Sequence, residues 1–265
     1  WVSTSMTPQL PRLLRLAAFV AVAVVAAPLF SLLWRIPWSE LPRLLSTEVV
    51  VDALFLSLVT SLVAALLALL IGIPIAFQLS RMTGISASTL RAVATLPMVL
   101  PPVVGGAALL FAFGRRGLIG ETLDNAAGLV LPYTPAGVVI ANAFVATPFV
   151  VLTVESGLRA LDPRYELAAA SLGASPLRST LRVVLPMIRS SIVAGAFLAW
   201  ARALGEFGAT ITFAGNVPGR TQTLPLAVFV AMEADRDAAL AMSLVLVFIS
   251  LIVLVCLRDR WWPAK

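Results

Sequence analysis

The chain has 265 residues, 60% of them hydrophobic and 12% charged, with a formal net charge of +6 and a mean hydropathy of +1.00. A water-soluble domain carries about 25% charged residues, so this composition excludes an ordinary soluble enzyme and makes lipid the solvent of much of the chain. There is no histidine, one cysteine (Cys256) and one lysine (Lys265), which excludes a Ser-His-Asp or Cys-His constellation, a histidine metal ligand and a G-x-x-x-x-G-K-[ST] phosphate loop.

A helix that crosses a hydrocarbon core of roughly 30 Å needs about 20 mostly apolar residues. The first such run is 16–34. Its 19 uncharged residues exceed the 7–15 of a secretory signal core, so an uncleaved first span is expected although Arg12 and Arg15 precede it. The second run is 53–80, with Pro74 near its end, and the third is 92–114. The fourth, 134–154, follows the punctuation of Pro132 and Pro135. The fifth, 190–213, is interrupted by Arg202 and Glu206. The sixth is 238–257, where Cys256 reads as an inert thiol in an apolar setting. Together these predict an all-α membrane protein with six transmembrane helices and a single domain over 1–265.

Basic residues set the orientation. With the N-terminus inside, the inner segments hold twelve, among them Arg81, Arg91, Arg159, Arg164, Arg258, Arg260 and Lys265, against six outside (Arg35, Arg43, Arg115, Arg116, Arg220 and Arg236). Both termini are therefore expected in the cytoplasm. The positive charge reports topology and gives no reason to expect nucleic-acid binding.

The connection 155–189, on the cytoplasmic side of that topology, is long and reads as structured. Asp162-Pro163 starts a helix and Gly173 stops it; Ser175-Pro176 starts a second, which Pro186 closes or kinks. The resulting elbow presents the small residues Ala168, Ala169 and Ala170, with Arg164 and Glu166 available for polar contacts at its edge. Two readings fit this pattern: an amphipathic hairpin lying on lipid headgroups, or a docking knob for a cytoplasmic partner.

The sequence Glu166-Leu167-Ala168-Ala169-Ala170-Ser171-Leu172-Gly173, followed after nine residues by Val183-Val184-Leu185-Pro186, resembles the EAA loop of bacterial ABC-importer permeases. Leu167 stands where that pattern has a glutamate, with Glu166 one position earlier, which leaves open which side chain makes the polar contact with the partner. The segments 96–106 and 113–117, and Arg202-Ala203-Leu204-Gly205-Glu206-Phe207-Gly208-Ala209-Thr210 with the following Ala214-Gly215-Asn216 and Thr221-Gln222-Thr223-Leu224-Pro225, are similar to molybdate-type permeases. Sulfate permeases share the Gly-Glu-Phe-Gly element.

The resemblance implies a type I ABC-importer permease that moves molybdate, or alternatively sulfate, thiosulfate or tungstate, into the cytoplasm of a bacterium by alternating access across its inner membrane. It also implies a homodimer of this chain, two cytoplasmic ATPase subunits and an extracytoplasmic oxyanion-binding protein. The chain would catalyse nothing and hold no cofactor, with ATP and Mg on the ATPases. The coupling residues carried over are Glu166, Leu167, Ala168, Ala169, Gly173, Val183, Leu185 and Pro186. Gly173→Asp is expected to weaken ATPase association by forcing a charge into a close-packed turn. A channel that needs no ATPase and an intramembrane enzyme are the readings from other classes; the missing histidines weigh against the enzyme.

A dianion cannot cross bare hydrocarbon, where one charge costs roughly 2.5–3.5 kcal/mol on insertion scales, so polar groups on the later spans are candidates for its path. These are Asn142, Thr147, Arg202, Glu206, Thr210, Thr212 and Asn216. Arg202 and Glu206 lie four apart on one helix and can pair; the pair is either a packing device or a means for Arg202 to attract the anion. Pro97, Pro101 and Pro102 beside Gly105-Gly106 break a helix, either for packing or as a gate. Gly205 and Gly208 are expected to allow close helix approach.

Overall fold

The computed structural model describes residues 11–261, which are helices and turns without a strand among them; Lys265 lies outside the described residues. The helix α1 (Arg12–Trp34) buries none of its residues, and α2 (Leu41–Leu45) is a short turn that leads into α3 (Glu48–Arg81). With 34 residues, α3 is about 51 Å long at 1.5 Å per residue, well beyond a hydrocarbon core. α7 (Pro135–Ala160) is the centre of the molecule: 61% of its most apolar window is buried, against 0% for α1.

Small residues let α3 and α7 approach. Ala64, Ala68, Gly72 and Ala76 recur every four residues along α3, and Ala143, Ala146, Val150 and Val154 of α7 meet them with Ala199 and Ala203 of α11 (Arg189–Leu204). In lipid, where burial supplies no driving force between helices, this close contact is what holds spans together. Hydrogen bonds add registration. Trp200 Nε1 donates to Ser61 Oγ at 3.0 Å, and the Leu224 amide, at the start of α13 (Leu224–Ala234), donates to Ser57 Oγ at 2.6 Å. α13 and α14 (Arg236–Trp261) pack against the first turns of α3 through Val50, Ala53, Ala227 and Met242.

Among the described residues, four helices are long and apolar enough to cross a bilayer, or six if each of two bent pairs is one span. The runs expected at 16–34, 53–80 and 238–257 fall within α1, α3 and α14. The other three need correction. The stretch 92–114 is not one rod: α4 (Gly84–Val99) and α5 (Pro102–Phe113) are bent by 115°, so α5 runs back towards the side from which α4 came. Pro101 and Pro102 lack the amides a helix needs, and the residue before a proline avoids the helical region; Leu100 and Pro101 are accordingly extended, with ψ of 138° and 131°.

The stretch 190–213 is also divided, into α11 and α12 (Gly208–Phe213) on either side of Gly205–Phe207. The fourth helix continues past 154 to Ala160, so the first six residues of the expected loop 155–189 are helical. Three short helices went unread in the sequence: α2, α6 (Gly120–Ala127) and α13.

Candidate functional site

The elbow is built by its caps. Asp162 Oδ1 accepts from the Arg164 amide at 2.9 Å and starts α8 (Arg164–Ser171). At the other end the Ala174 amide donates to Ala169 O at 3.0 Å and the Gly173 amide to Ala170 O at 2.9 Å. This paired closure requires a left-handed residue, which Gly173 supplies with φ of 81°. Ser175 Oγ then accepts from the Arg178 amide at 3.3 Å to start α9 (Pro176–Ser179). A π-helical turn (Thr180–Val184) and α10 (Leu185–Met187) continue it, and the whole run meets α11 at 71°.

This arrangement sorts the eight expected coupling residues into groups. Leu167, Ala168 and Gly173 are exposed, and so is Pro186; Ala169 is half-buried. Val183 and Leu185 are also half-buried, and Leu185 packs against the core cluster shared by α3, α7 and α11, so this second half anchors the elbow to the helix bundle. Glu166 is not free at the edge as expected: Arg81 Nη2, at the end of α3, donates to Glu166 Oε2 at 2.8 Å. Gly173 also differs from expectation. No atom lies within 4 Å of where its Cβ would be, so the turn is conformationally demanding without being crowded. Tyr165, Leu172, Leu177 and Leu181 of the same elbow are exposed as well, and exposed apolar side chains gathered on one segment are the material of an interaction site.

The path candidates converge only in part. Thr210 Oγ1 donates to Asn142 Oδ1 at 3.1 Å, and both residues are buried. Glu206 is 2% exposed; its Oε1 accepts from the Ala209 amide at 2.7 Å and its Oε2 lies 2.6 Å from Arg202 Nη1. The acid thus caps α12 and neutralises Arg202 across the break between α11 and α12. Pro102 and Thr212 lie one turn apart along the α5–α12 contact, where a Cβ on Gly208 would lie 2.4 Å from Pro102 Cβ and one on Gly106 would lie 2.5 Å from Thr212 Cβ. Gly205, by contrast, has nothing nearer than 3.7 Å, so close approach explains Gly208 but not Gly205.

Three candidates stand apart from that confluence. Thr147 spends its hydroxyl on Ala143 O of its own helix at 2.7 Å. Pro97 sits within α4, on the far arm of the bend. Asn216 lies beyond α12 with its Oδ1 buried and unpartnered. Thr212, like Thr147, donates within its own helix, to Gly208 O at 2.8 Å.

Sequence reasoning missed a second charged cluster. Glu155 is 4% exposed near the end of α7 and is held by Arg91 of α4 and by Arg159, whose Nε lies 2.8 Å away. Only the i,i+4 spacing of Glu155 and Arg159 was available as a signal, because Arg91 is 64 residues distant.

A family model described as binding-protein-dependent transport system inner membrane component matches residues 68–259. The chain is similar to the molybdenum transport system permease protein ModB of Mycobacterium tuberculosis, at 44% identity over 251 residues and 95% of each chain. It is 35% identical to the sulfate transport system permease protein CysT of Escherichia coli over 235 residues, covering 87% of this chain and 84% of that relative. A chain from the crystal structure of a bacterial ABC transporter involved in the import of the acidic polysaccharide alginate matches with a TM-score of 0.70 and 16% identity, covering 95% of this chain and 96% of that one. At such identity the likeness is one of fold, that of type I ABC-importer permeases. The matched residues run from the middle of α3 into α14 and include the bend, the elbow and the α11–α12 break, and the chain belongs to the binding-protein-dependent transport system inner membrane component family.

Proposed function

We propose that this chain is the membrane-spanning permease of an ATP-driven importer that carries molybdate into the cytoplasm by alternating access. The observation that carries this reading is the 44% identity, over 95% of both chains, to a molybdenum permease. The exposed elbow supports the coupling half of the proposal, since its apolar side chains would be costly to leave bare in water.

In this reading two copies of the chain enclose the path and two ATPase subunits, which bind ATP and Mg, dock on the elbows from the cytoplasm. An extracytoplasmic oxyanion-binding protein delivers the substrate from the opposite side. The elbow and both termini then lie in the cytoplasm, an orientation that the bias of basic residues supports. ATPase closure draws the two elbows together and opens the path outward; hydrolysis returns it to the inward state. Glu206 neutralises Arg202 and the hydroxyls of Thr147, Thr210 and Thr212 already donate within the protein, so the path offers the dianion amide and backbone N–H groups instead of a strong cation. Weak neutral donors suit transport, because a permanent positive site would retain its ligand.

The test is uptake into proteoliposomes that hold the chain with its cognate ATPase and binding protein. Labelled molybdate is supplied with excess unlabelled sulfate. ATP-dependent uptake that survives sulfate supports the molybdate reading. Uptake abolished by sulfate moves the assignment to sulfate or thiosulfate, the reading favoured by the 35% identity to a sulfate permease, and displacement by tungstate alone extends the substrate class to that anion. Uptake without ATP would overturn coupling in favour of a channel.

A further inference from the structure

The two charged clusters at the elbow end of the molecule form one connected route. Arg81, the last residue of α3, holds Glu166 of α8 at 2.8 Å. Two residues back along α3, Leu79 O accepts from Arg159 Nη2 at 2.9 Å. Arg159 Nε in turn donates to Glu155 Oε1 at 2.8 Å, and Arg91 Nε of α4 donates to Glu155 Oε2 at 3.3 Å while its Nη2 bonds the other oxygen. The elbow is thereby tied to α3, α3 to α7, and α7 to α4, the arm that leads into the Pro101-Pro102 bend.

The members of this route differ in burial, and that indicates what each does. Arg81 and Glu166 are 57% and 34% exposed at their side chains, and such a surface pair contributes little stability. Glu155 is 6% exposed at its side chain, and a buried carboxylate persists only when well paired. It accepts a forked bond from Arg91, the strong and orientation-specific kind, so α4 cannot slide past α7 without breaking it. The buried hub fixes α4, α7 and α3 together, and the exposed pair hands the elbow's position to that hub.

We propose that Arg81, Arg159, Glu155 and Arg91 are positioning residues that carry displacement of the elbow to the α4–α5 bend, and that Glu166 serves this internal strap instead of gripping the ATPase. This rests on the transport reading above.

The experiment uses the full assembly of permease, cognate ATPase and binding protein in proteoliposomes, and reads molybdate moved per ATP hydrolysed. Arg81→Glu and Glu166→Arg are each expected to lower that ratio about tenfold, a typical coupling energy, with ATPase copurification unchanged. The charge swap carrying both is expected to restore it to within about threefold. Arg91→Gln, at the far end of the strap, is expected to uncouple in the same way. Spin labels on α4 and α8 give a second readout: ATP moves both in the unmutated assembly and only α8 in Arg81→Glu.

The strap is overturned if Glu166→Arg loses the ATPase and the swap fails to recover it, or if the single variants keep the normal ratio and the normal α4 response. Absence of ATP-dependent uptake in the unmutated assembly would instead strike the transport reading, and the spin-label comparison would still judge the strap. Arg81 and Glu166 are surface positions, so their variants keep the test sound even where Arg91→Gln fails to fold.

Discussion

Glu206 serves two masters at once: one carboxylate oxygen accepts the Ala209 amide at 2.7 Å and the other holds Arg202 at 2.6 Å. Glu206→Gln keeps an acceptor for the amide but leaves Arg202 without its counter-charge. Removing one partner from a fully buried pair costs about 3–5 kcal/mol; the Arg202 side chain is 31% exposed, so a loss nearer about 2 kcal/mol is expected. Thermal unfolding in detergent measures it. Arg202→Gln combined with Glu206→Gln separates the two roles. A packing pair predicts retained uptake with a normal KM, whereas a raised KM in a stable double variant would give Arg202 a direct part in attracting the anion.

The Thr210–Asn142 bond makes a second prediction. Thr210→Val preserves shape while leaving the Asn142 carbonyl oxygen buried and unpaired, at a cost of about 1–3 kcal/mol. Thr210→Ser restores a donor and should recover most of that. The pair is compared by thermal unfolding, and uptake should follow stability if the bond positions α12 on α7. Uptake lost in Thr210→Val at unchanged stability would place the hydroxyl on the substrate's path.

What could be read from the sequence follows the range of the physics involved. Uncharged runs of about 20 mostly apolar residues announce α1, α3, α7 and α14 because the signal is local and additive. Gly173 is legible as a helix stop for the same reason, since the conformation it adopts is a property of one residue. The Pro101-Pro102 pair is visible in the sequence, yet a hydropathy window averages across it and reports one span where the chain turns by 115°. α13 was missed because eleven residues are too few to register as a span. The Glu155 cluster was missed because a sequence shows which charges exist and not which distant arginine reaches them, and the bond from Arg81 to Glu166 was missed for the same reason.

Two neighbouring glycines supply a contrast. A methyl group at Gly208 would lie 2.4 Å from Pro102 Cβ, whereas at Gly205 nothing is nearer than 3.7 Å. Gly208→Ala is therefore expected to force α12 away from α5, with an overpacking cost of about 1–3 kcal/mol, and to impair uptake. Gly205→Ala should leave both nearly unchanged. Equal behaviour of the two variants in uptake and thermal unfolding would mean that the α5–α12 contact is not maintained during transport.

The elbow yields the last prediction, in which conformation and surface chemistry are separable. Gly173 has a φ of 81° and no neighbour within 4 Å of its Cβ position. Gly173→Ala should thus cost about 1 kcal/mol from backbone strain alone, and Gly173→Asn less, because asparagine tolerates the left-handed region. Leu172 beside it is 88% exposed, so Leu172→Asp removes apolar surface without disturbing the turn. If the ATPase docks on this patch, Leu172→Asp lowers its copurification with no change in thermal unfolding, while Gly173→Ala lowers both and Gly173→Asn recovers both together. Full copurification with Leu172→Asp would shift docking away from the tip of the elbow to the exposed side of α8 around Tyr165 and Leu167, where the corresponding substitutions would then carry the loss.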